Sequence, residues 1–297
     1  MSINTLKEFE FNDYINGMPI DPISGEILKE WNRIKIGLRC YSVEIMRRII
    51  NSDHKNDPYT NELLSLDLIK KFKKMRFNGV DYVIIEDKEY RIDDNELYLS
   101  NKKISNIFPL SDLTNLIDLN LSNTKISDIS SLLELTNLKN LMLYNTQISD
   151  ISSLLELTNL KMLNLSNTQI FNIDVLSSLT NLEILYLNDT QISDISPLSE
   201  LINLETLYIN NTKILDVKSL FKLTKLKNLN LSNVKISDIS SLSGLINLEY
   251  LNLNNTQISD ISSFSTLVNL ENLDCGNTQV INISSLSGLI NLKIINY

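Results

Sequence analysis

Leucine recurs at a fixed spacing of 22 residues through the last two-thirds of this chain. Behind each of these leucines follows nearly the same text, which reduces to LxxLxLxNTxIxDIxxLxxLxN. A constant period of this length, built on L-x-x-L-x-L, indicates a solenoid in which each unit buries its apolar side against its neighbours. The period-marking residues are Leu116, Leu138, Leu160, Leu182, Leu204, Leu226, Leu248, Leu270 and Leu292.

Each unit contains the signals of one short strand and one capped turn. Leu119 and Leu121 alternate with polar residues, which predicts a strand whose leucines point into the core. Strands of successive units then stack into one parallel sheet, roughly 4.8 Å apart. Beyond each Asn-Thr turn, a recurring acidic residue such as Asp128 predicts an N-cap for a short helical turn on the outer side. We expect no calcium site along these aspartates, because that ion needs about six oxygen ligands or more.

The repeat resembles the leucine-rich repeat family, in its internalin-like class of 22-residue units. That resemblance implies an α/β solenoid, a horseshoe or rod whose parallel sheet lines the concave side, and a role in protein–protein interaction. Ahead of the solenoid we expect a small N-terminal α+β module. We therefore divide the chain into a helical module over 1–78, a hairpin cap over 79–93 and the repeat array over 94–297.

The net charge of −9 belongs entirely to the repeats. Residues 1–91 hold 15 basic and 15 acidic residues, and the remainder holds 12 basic and 21 acidic ones. An acidic surface repels phosphate backbones, so we expect no nucleic-acid partner. Cys40, Cys275 and the single histidine, His54, are far apart in sequence, so we expect no zinc site and read both cysteines as small buried apolar residues.

The N-terminus and the hydropathy of the chain indicate an intracellular, cytoplasmic setting. The first residues lack a basic segment followed by an apolar one, as a secretion signal requires. No stretch is long and apolar enough to cross a bilayer, so we expect no membrane association.

The first part of the chain carries two short proline loops, each followed by a predicted helix. The loops are Asp21-Pro22-Ile23-Ser24 and Asp57-Pro58-Tyr59-Thr60, and the helices are predicted after Tyr41, over 43–50, and over 66–74. The apolar stripe of the second helix is read as Leu68, Ile69, Phe72 and Met75.

This order resembles the U-box, a zinc-free relative of the RING domain. The resemblance implies that Ile23 and Pro58 contact a ubiquitin-conjugating enzyme. The sequence departs from the U-box pattern at 29–32 and at 37–41, which puts transfer activity in doubt more than the fold. Similar proline loops also resemble segments in proteins of large DNA viruses of protists, in which case the setting is the host cytoplasm.

Both ends of the array carry further signals. Residues 80–91 alternate around a charged turn at 86–89, which predicts a hairpin that covers the first edge of the solenoid. Residues 292–297 read as half a unit without a cap, which predicts either a homodimer through this end or a mobile last turn.

The residues between the strand leucines must point out of the concave face, because side chains alternate along a strand. Most of them are Asn and Ser, but apolar and aromatic residues gather in the middle units. Such a cluster with a polar rim is typical of a protein interface, although tyrosine also simply favours strands. The predicted partner-binding residues are Met142, Tyr144, Met162, Ile184, Tyr186, Tyr208 and Tyr250.

No catalytic motif accompanies this face. The sequence has no Gly-rich phosphate loop, no H-E-x-x-H and no Ser/His/Asp set, so we expect no cofactor. The sequence therefore predicts a non-enzymatic interaction scaffold. The alternative is a U-box-type E3 ubiquitin ligase that uses the repeats to select its substrate.

Overall fold

The computed structural model describes residues 88–105 and 107–297, together with the backbone of six short strands that precede them. The chain divides into two compact units, residues 1–94 with 107–113 and residues 95–106 with 114–297. The helices predicted over 43–50 and 66–74 and the loops containing Ile23 and Pro58 lie outside the described residues.

The first unit is described as short antiparallel strands and one 3₁₀ turn, Phe108–Asp112. β1 pairs with β2, β3 with β4, and β6 with both β5 and β7. The strands are Tyr14–Ile15 (β1), Met18–Pro19 (β2), Arg33–Ile36 (β3), Arg39–Ser42 (β4), Met75–Phe77 (β5), Val80–Ile85 (β6) and Lys88–Arg91 (β7).

The hairpin predicted over 80–91 is confirmed, since Tyr82 lies opposite Arg91 and Ile85 opposite Lys88. The assignment of Met75 to a helical stripe is wrong, because Met75 begins β5. The pairing of Phe77 with Val80 leaves a two-residue link of Asn and Gly between the strands. That dipeptide is a strong hairpin signal, and here it outweighs the helical spacing of the apolar residues before it.

The second unit is a solenoid built on one ten-stranded parallel sheet. Neighbouring strands pair in a register of 22 residues, so that Leu141 lies between Leu119 and Leu163. Only the last pair departs from this register, with a one-residue shift between Leu273 and Asp274. The strands are Glu96–Tyr98 (β8), Asp118–Asn120 (β9), Asn140–Met142 (β10), Met162–Asn164 (β11), Ile184–Tyr186 (β12), Thr206–Tyr208 (β13), Asn228–Asn230 (β14), Tyr250–Asn252 (β15), Asn272–Asp274 (β16) and Lys293–Asn296 (β17).

A 3₁₀ turn follows each of strands β9–β16. The predicted Asp or Asn side chain does satisfy the first amide of the turn, but the N-cap position itself is the next residue, as Ile129 is after Asp128. Asp128 Oδ1 accepts the backbone N–H of Ser130 at 2.8 Å, and Asn172 does the same for Asp174 at 2.8 Å. Each cap thereby satisfies an amide that the short turn cannot pair internally. The turns are Ser130–Leu132, Ser152–Leu154, Asp174–Ser178, Ser196–Glu200, Lys218–Lys222, Ser240–Gly244, Ser262–Thr266 and Ser284–Leu286.

Leucine and isoleucine of every unit fill the core between the sheet and these turns. Leu138, Leu141 and Leu154 are fully buried, as are their equivalents in the units on either side. Cys275 takes the place of a strand leucine and is buried, as predicted, and burial raises the pKa of its thiol. The side chain of Cys40 lies outside the described residues.

The turn after each strand contains a left-handed residue and a buried hydroxyl. Asn123 has a φ of 58°, and the Thr124 hydroxyl donates to the Leu121 carbonyl at 2.7 Å. The asparagines also bond to each other between units, as Asn145 Nδ2 does to Asn123 Oδ1 at 2.8 Å. Asparagine suits this position because its side chain tolerates the left-handed region better than most. We call this row of residues the asparagine ladder.

Candidate functional site

Two residues of each array strand face away from the core. In β12, Leu185 is fully buried while Ile184 and Tyr186 on either side of it are half-buried. The same pattern of half-buried, buried and half-buried residues holds for strands β9–β16. We call the surface formed by the first and third strand residues, and by the residue two beyond, the sheet face.

All seven residues predicted to bind a partner lie on the sheet face. Met142, Met162, Ile184, Tyr186, Tyr208 and Tyr250 are strand residues and half-buried. Tyr144 lies two residues beyond β10 and is 40% exposed. None of them is in the core, as alternation along the strands requires.

Four of these residues are brought together on adjacent strands. Met162 lies opposite Ile184, and Tyr186 lies opposite Tyr208. We call these four residues the central cluster. Met142 instead lies opposite Asn164, and Tyr250 lies opposite Asn228 on the strand next to β13. The Tyr250 hydroxyl accepts a hydrogen bond from Asn252 Nδ2 at 3.2 Å.

The two tyrosine rings of the central cluster meet edge to face. Their centroids are 5.2 Å apart and their planes are inclined at 88°. Burial raises the pKa of Tyr208 above its ordinary value of 10.0, and the neighbouring phenol groups of Tyr250 and Tyr186 raise it further. The Tyr208 hydroxyl is therefore neutral and able to donate a hydrogen bond at physiological pH.

Asparagine on the sheet face has a structural role that sequence reasoning missed. Where the third strand residue is Asn, its side chain accepts the backbone N–H two residues on. Asn164 Oδ1 binds the N–H of Ser166 at 3.0 Å, and Asn252 Oδ1 binds that of Asn254 at 2.9 Å. Asp274 does the same for Gly276 at 3.1 Å. The signal was present in the sequence, because an Asx residue two positions before an unpaired amide is a recognised local motif.

Met142, Tyr186 and Tyr208 occupy this same third position, and their side chains cannot accept a backbone N–H. Within residues 88–105 and 107–297, the backbone N–H groups of Tyr144, Asn188 and Asn210 donate to no protein oxygen. The apolar residues of the middle units therefore do two things at once. They supply apolar surface, and they leave backbone N–H groups without a protein acceptor beside it.

Over strands β8–β16 the charges of the sheet face are all negative, and on β17 Lys293, opposite Asn272, adds a positive charge. The three columns contain Glu96, Asp118 and Asp274 and no lysine or arginine over strands β8–β16. The asparagine ladder adds Asp189, whose carboxylate accepts Asn211 Nδ2 at 2.8 Å and Asn188 Nδ2 at 2.7 Å.

The residues just before the strands carry both signs of charge. In the middle of the array they form ion pairs, Lys161 with Glu183 at 2.6 Å and Lys227 with Glu205 at 2.7 Å. This margin of the face is therefore close to neutral.

A second feature lies on the outer side of the array and was not predicted. A groove of about 590 Å³ is lined by Leu155, Phe171 and Val175 together with polar residues of the two adjoining units. Phe171 is 67% exposed and replaces the serine found at this point of most other units. A comparison of each repeat with the consensus sequence could have identified Phe171 as an exception.

The described ranges hold no cluster of three or more His, Cys, Asp or Glu residues that could bind a metal ion. Within the same ranges, no helix has both the length and the apolar character needed to traverse a bilayer.

Comparison with known proteins gives a consistent family assignment. A family model described as leucine rich repeats (2 copies) matches residues 136–178, 158–200, 180–222, 202–244 and 224–266. Among curated proteins, none matches this chain.

Solved structures with the same architecture include two internalins from Listeria monocytogenes. The internalin inlF is 31% identical over 70% of this chain and 69% of its own, with a TM-score of 0.63. Internalin C2 is 32% identical over 63% of this chain and 83% of its own, with a TM-score of 0.62.

A plant receptor is also similar. The ectodomain of the membrane receptor kinase GASSHO1/SCHENGEN3 from Arabidopsis thaliana was solved in complex with CASPARIAN STRIP INTEGRITY FACTOR 2. It is 26% identical over 66% of this chain and 26% of its own, with a TM-score of 0.59.

Proposed function

Because this chain belongs to the leucine-rich repeat family, whose members generally serve as protein-binding scaffolds, we propose that it binds a protein partner on its sheet face. The binding surface is centred on Tyr186 and Tyr208, with Met162 and Ile184 beside them. Its role is non-enzymatic: the solenoid holds a rigid row of side chains to which the partner docks.

The edge-to-face tyrosine pair is the observation that carries this proposal. Tyrosine and methionine are enriched where interfaces contribute most of their binding energy, and such residues cluster near the centre of the contact with polar residues around them. Here the central cluster lies in the middle of the array, between strands whose outward residues are mostly Asn and Ser. The rings also restrict one another, so less side-chain entropy is lost on binding.

A capture experiment with matched variants tests the proposal. The full chain is immobilised, bound proteins are recovered from bacterial and eukaryotic lysates, and the capture is repeated with Tyr186→Ala and Tyr208→Ala. Tyr98→Ala is the control, because Tyr98 lies in the same column on β8, at the end of the sheet and 59% exposed. We expect each central variant to weaken the captured partner by about 2 kcal/mol, roughly 30-fold in Kd, and the control to leave it unchanged. Equal capture by all three variants would reject the sheet face as the binding surface.

A second function rests on the proline loops of the N-terminal sequence. We propose as the alternative a U-box-type ubiquitin ligase, in which Ile23 and Pro58 recruit a conjugating enzyme and the repeats select the substrate. Its test is autoubiquitination with a panel of conjugating enzymes, repeated with Ile23→Ala and Pro58→Ala. Absence of both activity and conjugating-enzyme binding would eliminate it. Self-association through the C-terminal strand, the viral resemblance and the intracellular setting stay predictions.

A further inference from the structure

We infer that the partner presents an extended, basic segment of polypeptide to the sheet face, and that its backbone carbonyls pair with the uncapped N–H groups next to the central cluster. This inference rests on the proposed function and specifies the chemistry of the partner. It arises from two independent observations, the distribution of free donors and the sign of the charge.

The unpaired backbone N–H groups lie two residues after strand positions that hold an apolar or aromatic residue in place of Asn. Asn120, Asn164, Asn230 and Asn252 each cap the N–H two residues on, whereas Met142, Tyr186 and Tyr208 leave the equivalent N–H unpaired. The open N–H groups of Asn188 and Asn210 lie on adjacent units, immediately beyond the two tyrosines. A donor without an acceptor is costly to bury, so a partner that covers the rings must bring acceptors with it. The carbonyl groups of an extended backbone supply acceptors at regular spacing.

The charges specify the side chains of that segment. Glu96 and Asp118 lie at one end of the sheet face, Asp274 lies at the other, and Asp189 lies in the ladder beside the central cluster. Within the described part of the chain their hydrogen bonds come from neutral groups, such as Tyr98 to Glu96, Asn140 to Asp118, Gly276 to Asp274 and Asn211 to Asp189. Over β8–β16 these columns hold no lysine or arginine, so the complement of this part of the surface is a segment with basic groups toward its ends and apolar groups at its centre. The neighbouring row on β17 carries one positive charge, Lys293, which lies opposite Asn272.

The dimensions suit a short peptide. Seven strand steps separate β9 from β16, which at about 4.8 Å per step is roughly 34 Å. An extended chain rises about 3.3 Å per residue, so about 10 to 12 residues bridge Asp118 and Asp274 while crossing the tyrosines.

Selection from a peptide library tests the inference. A displayed library of random 12-residue peptides is selected against the full chain, and the affinity of the enriched peptides is measured at low and high salt. Two charge-reversed variants are compared. Asp118→Lys with Asp274→Lys alters the sheet face, while Glu134→Lys with Glu156→Lys makes the same change in net charge at exposed positions beyond the 3₁₀ turns. Urea denaturation of every variant verifies that it is folded.

We expect the enriched peptides to carry net positive charge and to bind more weakly at high salt. We expect their affinity to fall by about 10-fold or more on Asp118→Lys with Asp274→Lys, and to change much less on the control pair. A second comparison isolates the donors, because Tyr208→Asn restores an acceptor for the Asn210 N–H and Tyr208→Ala does not. If the carbonyl contact exists, Tyr208→Asn weakens binding more than Tyr208→Ala.

The outcomes separate this inference from the proposed function. Enriched peptides that are neutral or acidic, or equal affinity for both charge-reversed pairs, overturn the basic segment. Equal binding by Tyr208→Asn and Tyr208→Ala overturns the carbonyl contact. Failure to enrich any peptide, while a folded protein is still captured through Tyr186 and Tyr208, overturns the inference and leaves the proposed function standing. Loss of Tyr-dependent capture as well removes both.

Discussion

Tyr186 lies directly opposite Tyr208 on the neighbouring strand, and the edge of one ring meets the face of the other with centroids 5.2 Å apart. This arrangement follows from the repeat, because over strands β8–β16 two residues 22 positions apart occupy the same column of the sheet. Elsewhere on the sheet face the same relationship brings together other pairs, such as Met162 with Ile184 and Asn230 with Asn252, and over β8–β16 no second pair of aromatic residues lies opposite each other. The pair is therefore a local departure from a regular scaffold, and it fixes the orientation of two large side chains.

The ring contact should be measurable as a coupling energy. In a double-mutant cycle with Tyr186→Ala and Tyr208→Ala, we expect about 0.5 to 1.5 kcal/mol of interaction beyond the sum of the single changes, because edge-to-face aromatic pairs contribute that much. Urea denaturation followed by circular dichroism provides the four free energies of unfolding. Tyr186→Phe is the control, since it keeps the ring and should retain the coupling. A coupling of zero would show that the rings do not stabilise each other in solution.

The phenol of Tyr208 should titrate late. Its pKa lies above 10.0, first because of burial and then because of the neighbouring phenol groups of Tyr250 and Tyr186. The unfolded chain therefore loses this proton first, so the stability linked to it falls as pH rises through 10.0 towards the folded pKa. Absorbance of the phenolate provides the titration. Tyr250→Phe removes one neighbouring phenolate and should bring the Tyr208 pKa closer to its ordinary value; no change would contradict the charge coupling.

Acid should weaken the turns through their caps. The pKa of Asp194 lies below its ordinary value of 3.8, first because its carboxylate accepts the Ser196 N–H, at 2.8 Å, and then the Ser196 hydroxyl. This contribution to stability is fully present above the unfolded pKa and is lost as pH falls through the lower folded pKa.

Substitution at Asp194 separates the cap from its charge. Asp194→Asn keeps the acceptor, as Asn172 and Asn282 do in their own units, and should remove only the pH dependence. Asp194→Ala should cost about 1 kcal/mol at neutral pH, measured by urea denaturation. Equal losses for both substitutions would mean that the charge rather than the cap stabilises the turn.

Ser219 should be replaceable without cost. Its buried hydroxyl has no hydrogen-bond partner, whereas Ser241 at the same position of the next unit donates to the Val217 carbonyl at 3.2 Å. Removing an unpaired buried hydroxyl relieves a desolvation penalty, but removing a paired one leaves a carbonyl unsatisfied. Ser219→Ala should therefore be neutral or stabilising, and Ser241→Ala should cost about 1 kcal/mol in thermal or urea denaturation. A larger loss at Ser219 would show that its hydroxyl finds a partner in solution.

Most of the array could be predicted from the sequence because its signals repeat. Strands β8–β16 have only three residues each, too few to identify alone, but nine occurrences of the same leucine spacing remove the ambiguity. The outward columns followed from simple alternation, and Tyr186 beside Tyr208 followed from the period. The first repeat, which begins at Asp94, could be identified although Asp94 replaces its opening leucine, because Leu97 and Leu99 keep the register. Both leucines are buried in the structure.

What could not be predicted depends on single positions rather than on the period. The asparagines of the sheet face were read as a polar rim, although Asn164 and Asn252 are also caps for backbone amides. Met75 was placed in a helix because its spacing from Phe72 suits one, but strand pairing with β6 determines its structure. Asp189 stands where the other units have Asn, and the structure shows that it forms a charged step in an otherwise neutral ladder.

The constant register of the sheet has a consequence for how this surface can change over evolutionary time. Removing one whole unit, such as residues 204–225, would leave every buried contact with an equivalent neighbour, yet it would bring Tyr186 beside Asn230 instead of Tyr208. Unequal recombination between repeats can thus change which surface residues lie side by side without disturbing the buried core. Exchange of whole units therefore changes the displayed surface while the buried register of the sheet is kept.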